Sequence, residues 1–428
     1  MSGEVRVVDA SGKPLAVGSA RRDSIMSGKY WNIETKRQSG SGITTGTAVG
    51  GANKDFHVVG TAEQNWDAVR LIILNAETAN SVQAVTASFA PTANMTSVNT
   101  PTGSWTTFTW SAAGSVNLAN SSSNQLYNAV TSDWMSGANV TSVARDDGGT
   151  YPMFMFRIHL PFGAGAYTYT TESSGSTAYD TDPLTSGRRW FKIFQSAIDS
   201  VTTPGSFTQT VESNLVPSCI LQFRVRGRVL SFMCAGDSIV GGSLTTSNML
   251  SPGFRAAVAA SSASFPVQYV GSGWASQTSA NYLANAKTLI STVNPQVCAY
   301  SVCSPNDGAI SASIVATQLR QAFDFIAYCR ANDCVPILIT PTPDNTDNAA
   351  ASTLKIGLTN TLIALRSKGV LVADWWNAVA VFPGDNASGG YGWPAGYYGD
   401  SKHPSDTGAA VMGAQLQTYL NLIVAANS

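Results

Sequence analysis

From about residue 226 onward, apolar runs of strand length alternate with longer stretches whose apolar residues recur at helical spacing, and this alternation constrains the fold most. The runs "RVLSFMCAGDS", "FPVQYVGSG", "PQVCAYSVCSPND", "VPILITPTP" and "VLVADWW" read as strands. Between and after them, "SPGFRAAVAASS", "ISASIVATQLRQAFDFIAYCRAND", "AASTLKIGLTNTLIALRSKG" and "SDTGAAVMGAQLQTYLNLIVAA" read as helices. Such alternation implies right-handed crossovers and a parallel sheet covered by helices on both faces. Ligands then bind at the carboxyl ends of the strands.

The preceding half follows another pattern. Short alternating runs, among them "DFHVVG", "AVRLIIL", "SVQAVTASFA", "WTTFTW" and "PMFMFRIHL", are separated by Gly, Ser, Asn and Thr clusters such as "RQSGSGITTGTAVGGANKD". This predicts an all-β sandwich or jelly roll over residues 1–225, an accessory domain fit for binding carbohydrate, followed by an α/β domain over 226–428. A length of 428 residues suits two domains.

Charge narrows the partners. Charged residues make up 12% of the chain, well under the usual quarter, and the formal net charge is −1. No field for attracting nucleic acid or anionic lipid results, so neither is expected as a partner. The N-terminal stretch lacks the apolar run of a signal peptide, and no later segment is expected to reach membrane-spanning length or to insert; a cytoplasmic protein, a mature product stripped of its leader and one exported without a leader all stay open, with an extracellular or virion-associated place favoured. All six cysteines lie between Cys219 and Cys334. Cys298 and Cys303 read as buried strand thiols, a Cys329–Cys334 bridge is possible, and metal ligation is not expected. "PDNTDNAA" lacks the spaced oxygens of a calcium loop, and Asp347 reads as a helix cap.

Four polar clusters fall at the carboxyl edge of the predicted sheet. Gly236-Asp237-Ser238 ends the first strand, Gly271-Ser272-Gly273 the second and Ser304-Pro305-Asn306-Asp307 the third, while Asp400-Ser401-Lys402-His403-Pro404 precedes the last helix, with Ser405 as its N-cap. A serine hydroxyl is a feeble nucleophile until an imidazole takes its proton, and a carboxylate must hold that imidazole in one tautomer. Ser238, His403 and Asp400 can fill these roles. The oxyanion of the attacked carbonyl needs aimed donors. The N–H of Ser238, a backbone N–H from the 271–278 loop and the side chain of Asn306 can supply them. The other two histidines, His57 and His159, lie in strand-like runs and read as structural.

These blocks resemble those of the SGNH hydrolases, the GDSL esterases and lipases, over about residues 228–428. The resemblance implies a flavodoxin-like α/β/α fold and ester hydrolysis without metal or cofactor. It makes Ser238 the nucleophile and first oxyanion donor, Asn306 the asparagine donor, and Asp400 with His403 the acid and base. Ile239 stands where leucine is usual and Ser304 where glycine is usual. In the second block the donor aligns with Ser276, with Gly273 the glycine nearby.

The loop into the last block is aromatic: Tyr391, Trp393, Tyr397 and Tyr398, with Trp274 from the second block, are candidates for a substrate-facing wall suited to sugar rings. A β accessory domain beside such an esterase suggests removal of acyl, above all acetyl, groups from a polysaccharide. A lipase or broad carboxylesterase, or a glycan-binding or virion structural protein with a vestigial site, are the alternatives.

Overall fold

A computed structural model describes residues 54–76, 82–94, 100–123, 125–161, 201, 215–246 and 250–427, with the strands at 7–8, 14–15, 30–34, 43–46, 167–171, 191–196 and 211–212. The chain divides into two compact units. One holds Lys29–Arg37 and Ile43–Gly227; the other holds Arg228–Ser428 together with Met1–Gly28 and Gln38–Gly42. The short strands Val7–Val8 and Pro14–Leu15 therefore go with the α/β unit, and the sequence boundary of 1–225 does not describe them.

The first unit is built of antiparallel sheets. Strands β1 (Lys54–Thr61), β3 (Val82–Thr92) and β4 (Met153–Leu160) lie in one sheet, in the order β1-β4-β3. Strands β2 (Trp66–Asn75) and β5 (Cys219–Val225) pair in another. The two sheets meet through aromatic rings: Phe89 lies 6.1 Å from Trp66, and Phe154 lies 5.3 Å from Phe223. These four buried rings, one from each of β2, β3, β4 and β5, fill the space between the sheets, as a sandwich requires. "WTTFTW" yields only the short strand Thr106–Thr107, with Phe108 turned into the core.

Strand β4 is buried on both faces, and its other face carries charge. Arg157 donates from Nε to His57 Nδ1 at 3.2 Å and lies 4.1 Å from the centroid of the Trp105 ring. Burial, reinforced by the Arg157 charge, holds the His57 imidazole well below its ordinary value. Burial also lowers Arg157 itself, to about 10. His159 sits 3.6 Å from Asp55. Both histidines thus lie in strands of the β unit, as expected.

The second unit is a five-stranded parallel sheet of β6 (Leu230–Gly236), β7 (Val267–Gly273), β8 (Val297–Ser301), β9 (Val335–Ile339) and β10 (Leu371–Ala373), in the order β7-β6-β8-β9-β10. This is the doubly wound order the resemblance implies. Strands β6, β8 and β9 are buried throughout, which explains their unbroken apolar runs. The helices are α1 (Ser238–Gly241), α2 (Pro252–Ala260), α3 (Ser279–Val293), α4 (Ala312–Ala331), α5 (Ala349–Ala364), α6 (Trp375–Val379) and α7 (Asp406–Asn427). Leu230, Phe232 and Ile337 share a core with Ala256 of α2 and Met412, Leu416 and Leu420 of α7.

Several expectations are corrected here. The Asp374-Trp375-Trp376 end of "VLVADWW" is not strand: Asp374 caps α6 through its contact with Asn377 N at 3.1 Å. Helix α3 was not anticipated. Helix α5 is capped by Asn348, which accepts from Ala351 N at 2.9 Å, whereas Asp347 pairs with Lys355 at 2.6 Å. Cys329 and Cys334 are free thiols, and Cys303 lies beyond the end of β8 and is half-buried. Helix α7 is long and apolar enough to cross a membrane by length and composition, contrary to the sequence expectation, yet Ala409, Met412, Leu416, Leu420 and Ile423 are buried in the unit's core.

Candidate active site

Strand β6 has β7 on one side and β8 on the other, so the chain leaves its carboxyl end at the point where the strand order switches. Gly236 is required there by space: a Cβ would stand 2.3 Å from Val240 Cγ2. Asp237 is extended and caps α1, accepting from Ile239 N at 2.9 Å, and Gly242 ends that single turn at φ 77°. Ser238 is thereby the first helical residue, where a backbone N–H has no partner within the helix. It is 7% exposed.

The fourth block, just before α7, meets Ser238 directly. His403 Nε2 lies 2.8 Å from Ser238 Oγ, and His403 Nδ1 lies 2.8 Å from Asp400 Oδ2. A carboxylate only accepts, so Nδ1 carries the proton and the Nε2 lone pair faces the serine hydroxyl. Asp400 Oδ1 also accepts from the backbone N–H of Lys402 at 2.7 Å and of His403 at 2.8 Å. Burial opposes ionisation of Asp400, but these hydrogen bonds outweigh it and hold the carboxyl below its ordinary value.

The 396–405 loop is closed on itself and anchored to α7. Gly399 N donates to His403 O at 2.9 Å and Ser405 N to Tyr397 O at 3.0 Å. Ser405 Oγ accepts from Gly408 N at 3.4 Å, the cap contact expected of it. A Cβ on Gly408 would meet Tyr397 O at 2.1 Å, so glycine alone lets the helix seat against the loop.

Asn306 stands on a short turn, Pro305–Asp307, after β8. Its Nδ2 donates to Gln277 O at 3.0 Å. Asp307 accepts from Ser279 N and from Gln318 Nε2, each at 2.8 Å, and so fastens this turn to α3 and α4. Ser304 Oγ lies 2.7 Å from Asp237 Oδ2 and 2.9 Å from Gln277 O. Asp237 is buried, which raises its carboxyl despite the Ser304 and Ile239 hydrogen bonds. Sequence reasoning did not give Ser304, Gln277 or Asp307 these parts; the polar run at the strand end was their only signal.

In the second block, Ser276 is exposed and adopts a left-handed φ of 62°, and its N–H meets no acceptor among the described residues. Such backbone is costly for a residue with a Cβ and collects at functional sites. Gly273 serves close packing, since a Cβ there would lie 2.4 Å from Gly241 N. Trp274 is 5% exposed, and its N–H joins Gly236 O at 3.2 Å.

Of the five aromatic candidates, Trp274 and Trp393 are buried, and Tyr391, Tyr397 and Tyr398 are half-buried. Trp393 is fully buried in the core, with its backbone N–H donated to Asn345 Oδ1. Tyr397 and Tyr398 pack partly against that core, and Tyr398 Oη donates to Asp385 at 2.7 Å. Tyr391 is half-buried between Trp376 and the exposed Phe382. A recess of about 10 Å³, room for about one water, is bordered by Ile239, Pro305, Thr342, Asp344, Lys355 and Lys402. Cys303 also borders it, but burial pushes its thiol up to about 11, so it stays protonated at neutral pH. Among the described residues no cluster of His, Cys, Asp or Glu could hold a metal ion.

Fold and site together form a doubly wound α/β unit with hydrogen-bonded Ser238, His403 and Asp400 at its switch point, joined in sequence to a β unit. Its structural neighbours are GDSL-type lipolytic proteins and carbohydrate esterases, at low identity. A member of the G-D-S-L lipolytic family from Veillonella parvula is 15% identical over 44% of this chain and 95% of its own, with a TM-score of 0.35. A family two carbohydrate esterase from Cellvibrio japonicus is 13% identical over 93% of this chain and 99% of its own, with a TM-score of 0.33. A two-domain esterase active on acetylated mannans is 15% identical over 47% of this chain and 51% of its own, with a TM-score of 0.34. No family model and no curated protein sequence matches.

Proposed function

We propose that this protein is a serine esterase that removes acetyl groups from a carbohydrate. The observation that carries the reading is the relay itself: Ser238 Oγ to His403 Nε2 at 2.8 Å and His403 Nδ1 to Asp400 at 2.8 Å. In this reaction Ser238 Oγ attacks the ester carbonyl and gives its proton to Nε2, while Asp400 steadies the imidazolium. The N–H groups of Ser238 and Ser276 and the amide of Asn306 receive the oxyanion. The alcohol leaves with the proton from Nε2, and water, activated by the same nitrogen, then releases the acid from the acyl-serine.

The charged border that Asp344, Lys355 and Lys402 give the recess next to Ile239 is unsuited to a long acyl chain. The polar, low-charge surface suits a neutral glycan. The β unit is read as the part that holds the polymer. Acetate release from a panel of acetylated glycans tests the proposal, with p-nitrophenyl esters of increasing chain length as the comparison. Acetate should be released by the native protein and not by Ser238→Ala. Equal rates on octanoate and acetate esters, or turnover surviving in Ser238→Ala, would refute it.

A further inference from the structure

We infer that Ser304 is a positioning residue for the oxyanion donors, its buried hydroxyl tying the turn that carries Asn306 to the segment that carries Ser238. The inference rests on the esterase reading and deepens it. Ser304 is 2% exposed, and its Oγ lies within hydrogen-bonding distance of Asp237 Oδ2 at 2.7 Å, Gln277 O at 2.9 Å and Asn306 N at 3.2 Å. A serine hydroxyl has one proton and two lone pairs. The carboxylate is the stronger acceptor and the shorter contact, so it takes the proton. The lone pairs then receive the Asn306 N–H, with Asn306 Nδ2 at 3.3 Å.

A continuous chain of bonds results. It runs from the Asn306 N–H to Ser304 Oγ, from the Ser304 hydroxyl to Asp237, and from Asp237 Oδ1 back to the Ile239 N–H at 2.9 Å. Ile239 follows Ser238 in the same turn, so one buried pair sets the spacing of two donors that follow different strands, β6 and β8. Asn306 Nδ2 also donates to Gln277 O at 3.0 Å, so Gln277 O and Ser304 Oγ together fix where the amide group stands. Glycine, the residue usual in the similar proteins, offers none of this. It would leave Asp237 Oδ2 buried without the Ser304 hydroxyl, at the cost of an unmatched charged acceptor.

Kinetics on p-nitrophenyl acetate test the assignment, together with the rate at which a p-nitrophenyl phosphonate ester modifies Ser238, because that tetrahedral adduct directs an oxygen at the same donors. Ser304→Ala and Ser304→Gly should lose about 10- to 100-fold in kcat with KM within about twofold, and phosphonylation should fall in parallel. Ser304→Thr, which keeps the hydroxyl, should recover most of both. Adding Ser304→Ala to Asn306→Ala should cost little further, because the two act through one donor. Native kcat and phosphonylation in Ser304→Ala, with Ser238→Ala inert, overturn the positioning role and leave the esterase reading standing. Turnover in Ser238→Ala overturns the esterase reading instead. If Ser304→Ala does not fold, Asp237→Asn carries the same test: a kcat-specific loss is expected, and an unchanged kcat overturns the assignment.

Discussion

At the scale of single residues, the exposure of Asn306 separates its chemistry from stability. Asn306→Ala should lower kcat about 100- to 1000-fold, as loss of one oxyanion donor does, while the thermal midpoint stays put. Activity within fivefold of native would remove Asn306 from the proposed machinery. The pH profile has a definite sign. Asp400 is held below its ordinary value by Lys402 N–H, His403 N–H and the imidazole against the pull of burial. The same depression contributes stability above about pH 3.9, lost as pH falls through the lower folded value. Ser238, Asn306, Asp400 and His403 were legible because their chemistry and chain order restrict the choice of residue type. Trp393 was misread because an aromatic in a Gly-rich loop has the same sequence signature whether it faces solvent or, as here, the core.

At the scale of elements, the site depends on backbone contacts that leave no room for a methyl group. Gly273→Ala places a Cβ 2.4 Å from Gly241 N, so α1 must move and carry Ser238 with it. The cost should be about 1–3 kcal/mol in urea unfolding, with a larger proportional loss of turnover than of stability. An alanine variant with native stability and rate would show that the contact relaxes freely. Strands β6, β8 and β9 were readable because burial on both faces demands unbroken apolar runs. Helix α3 was not, although Tyr282, Leu283, Ala286, Leu289, Ile290 and Val293 make a buried stripe at helical spacing. Asn, Ser, Thr and Ala between them dilute the apolar signal, and the helix draws its N-terminal cap from Asp307, far along the chain, instead of from a residue beside it. Short α6 was likewise swallowed by the strand before it, since two tryptophans look the same in either state.

At the scale of the whole molecule, each unit has its own core, aromatic in one and aliphatic with small residues in the other. Phe154→Ala should destabilise the β unit by about 3–5 kcal/mol, and Leu416→Ala the α/β unit by about 2–5 kcal/mol. Calorimetry should show the first change lowering one transition with ester turnover at 25 °C retained, and the second lowering the other together with the temperature of inactivation. A single transition lowered equally by both would mean that the units melt as one. The switch in sequence pattern near residue 226 foretold the two architectures, but the pairing of Val7–Val8 with Pro14–Leu15 beside the later unit was not legible, because two-residue strands carry no periodicity. The placement of the relay has a consequence of its own. Ser238 is sunk to 7% exposure while the Asp400 side chain stands 46% in water and Asn306 is open. If the proposed substrate is bound, the open side at Asp400 and Asn306 lets an ester pendant from the middle of a polymer reach the sunken hydroxyl, and products cut from internal positions would bear this out.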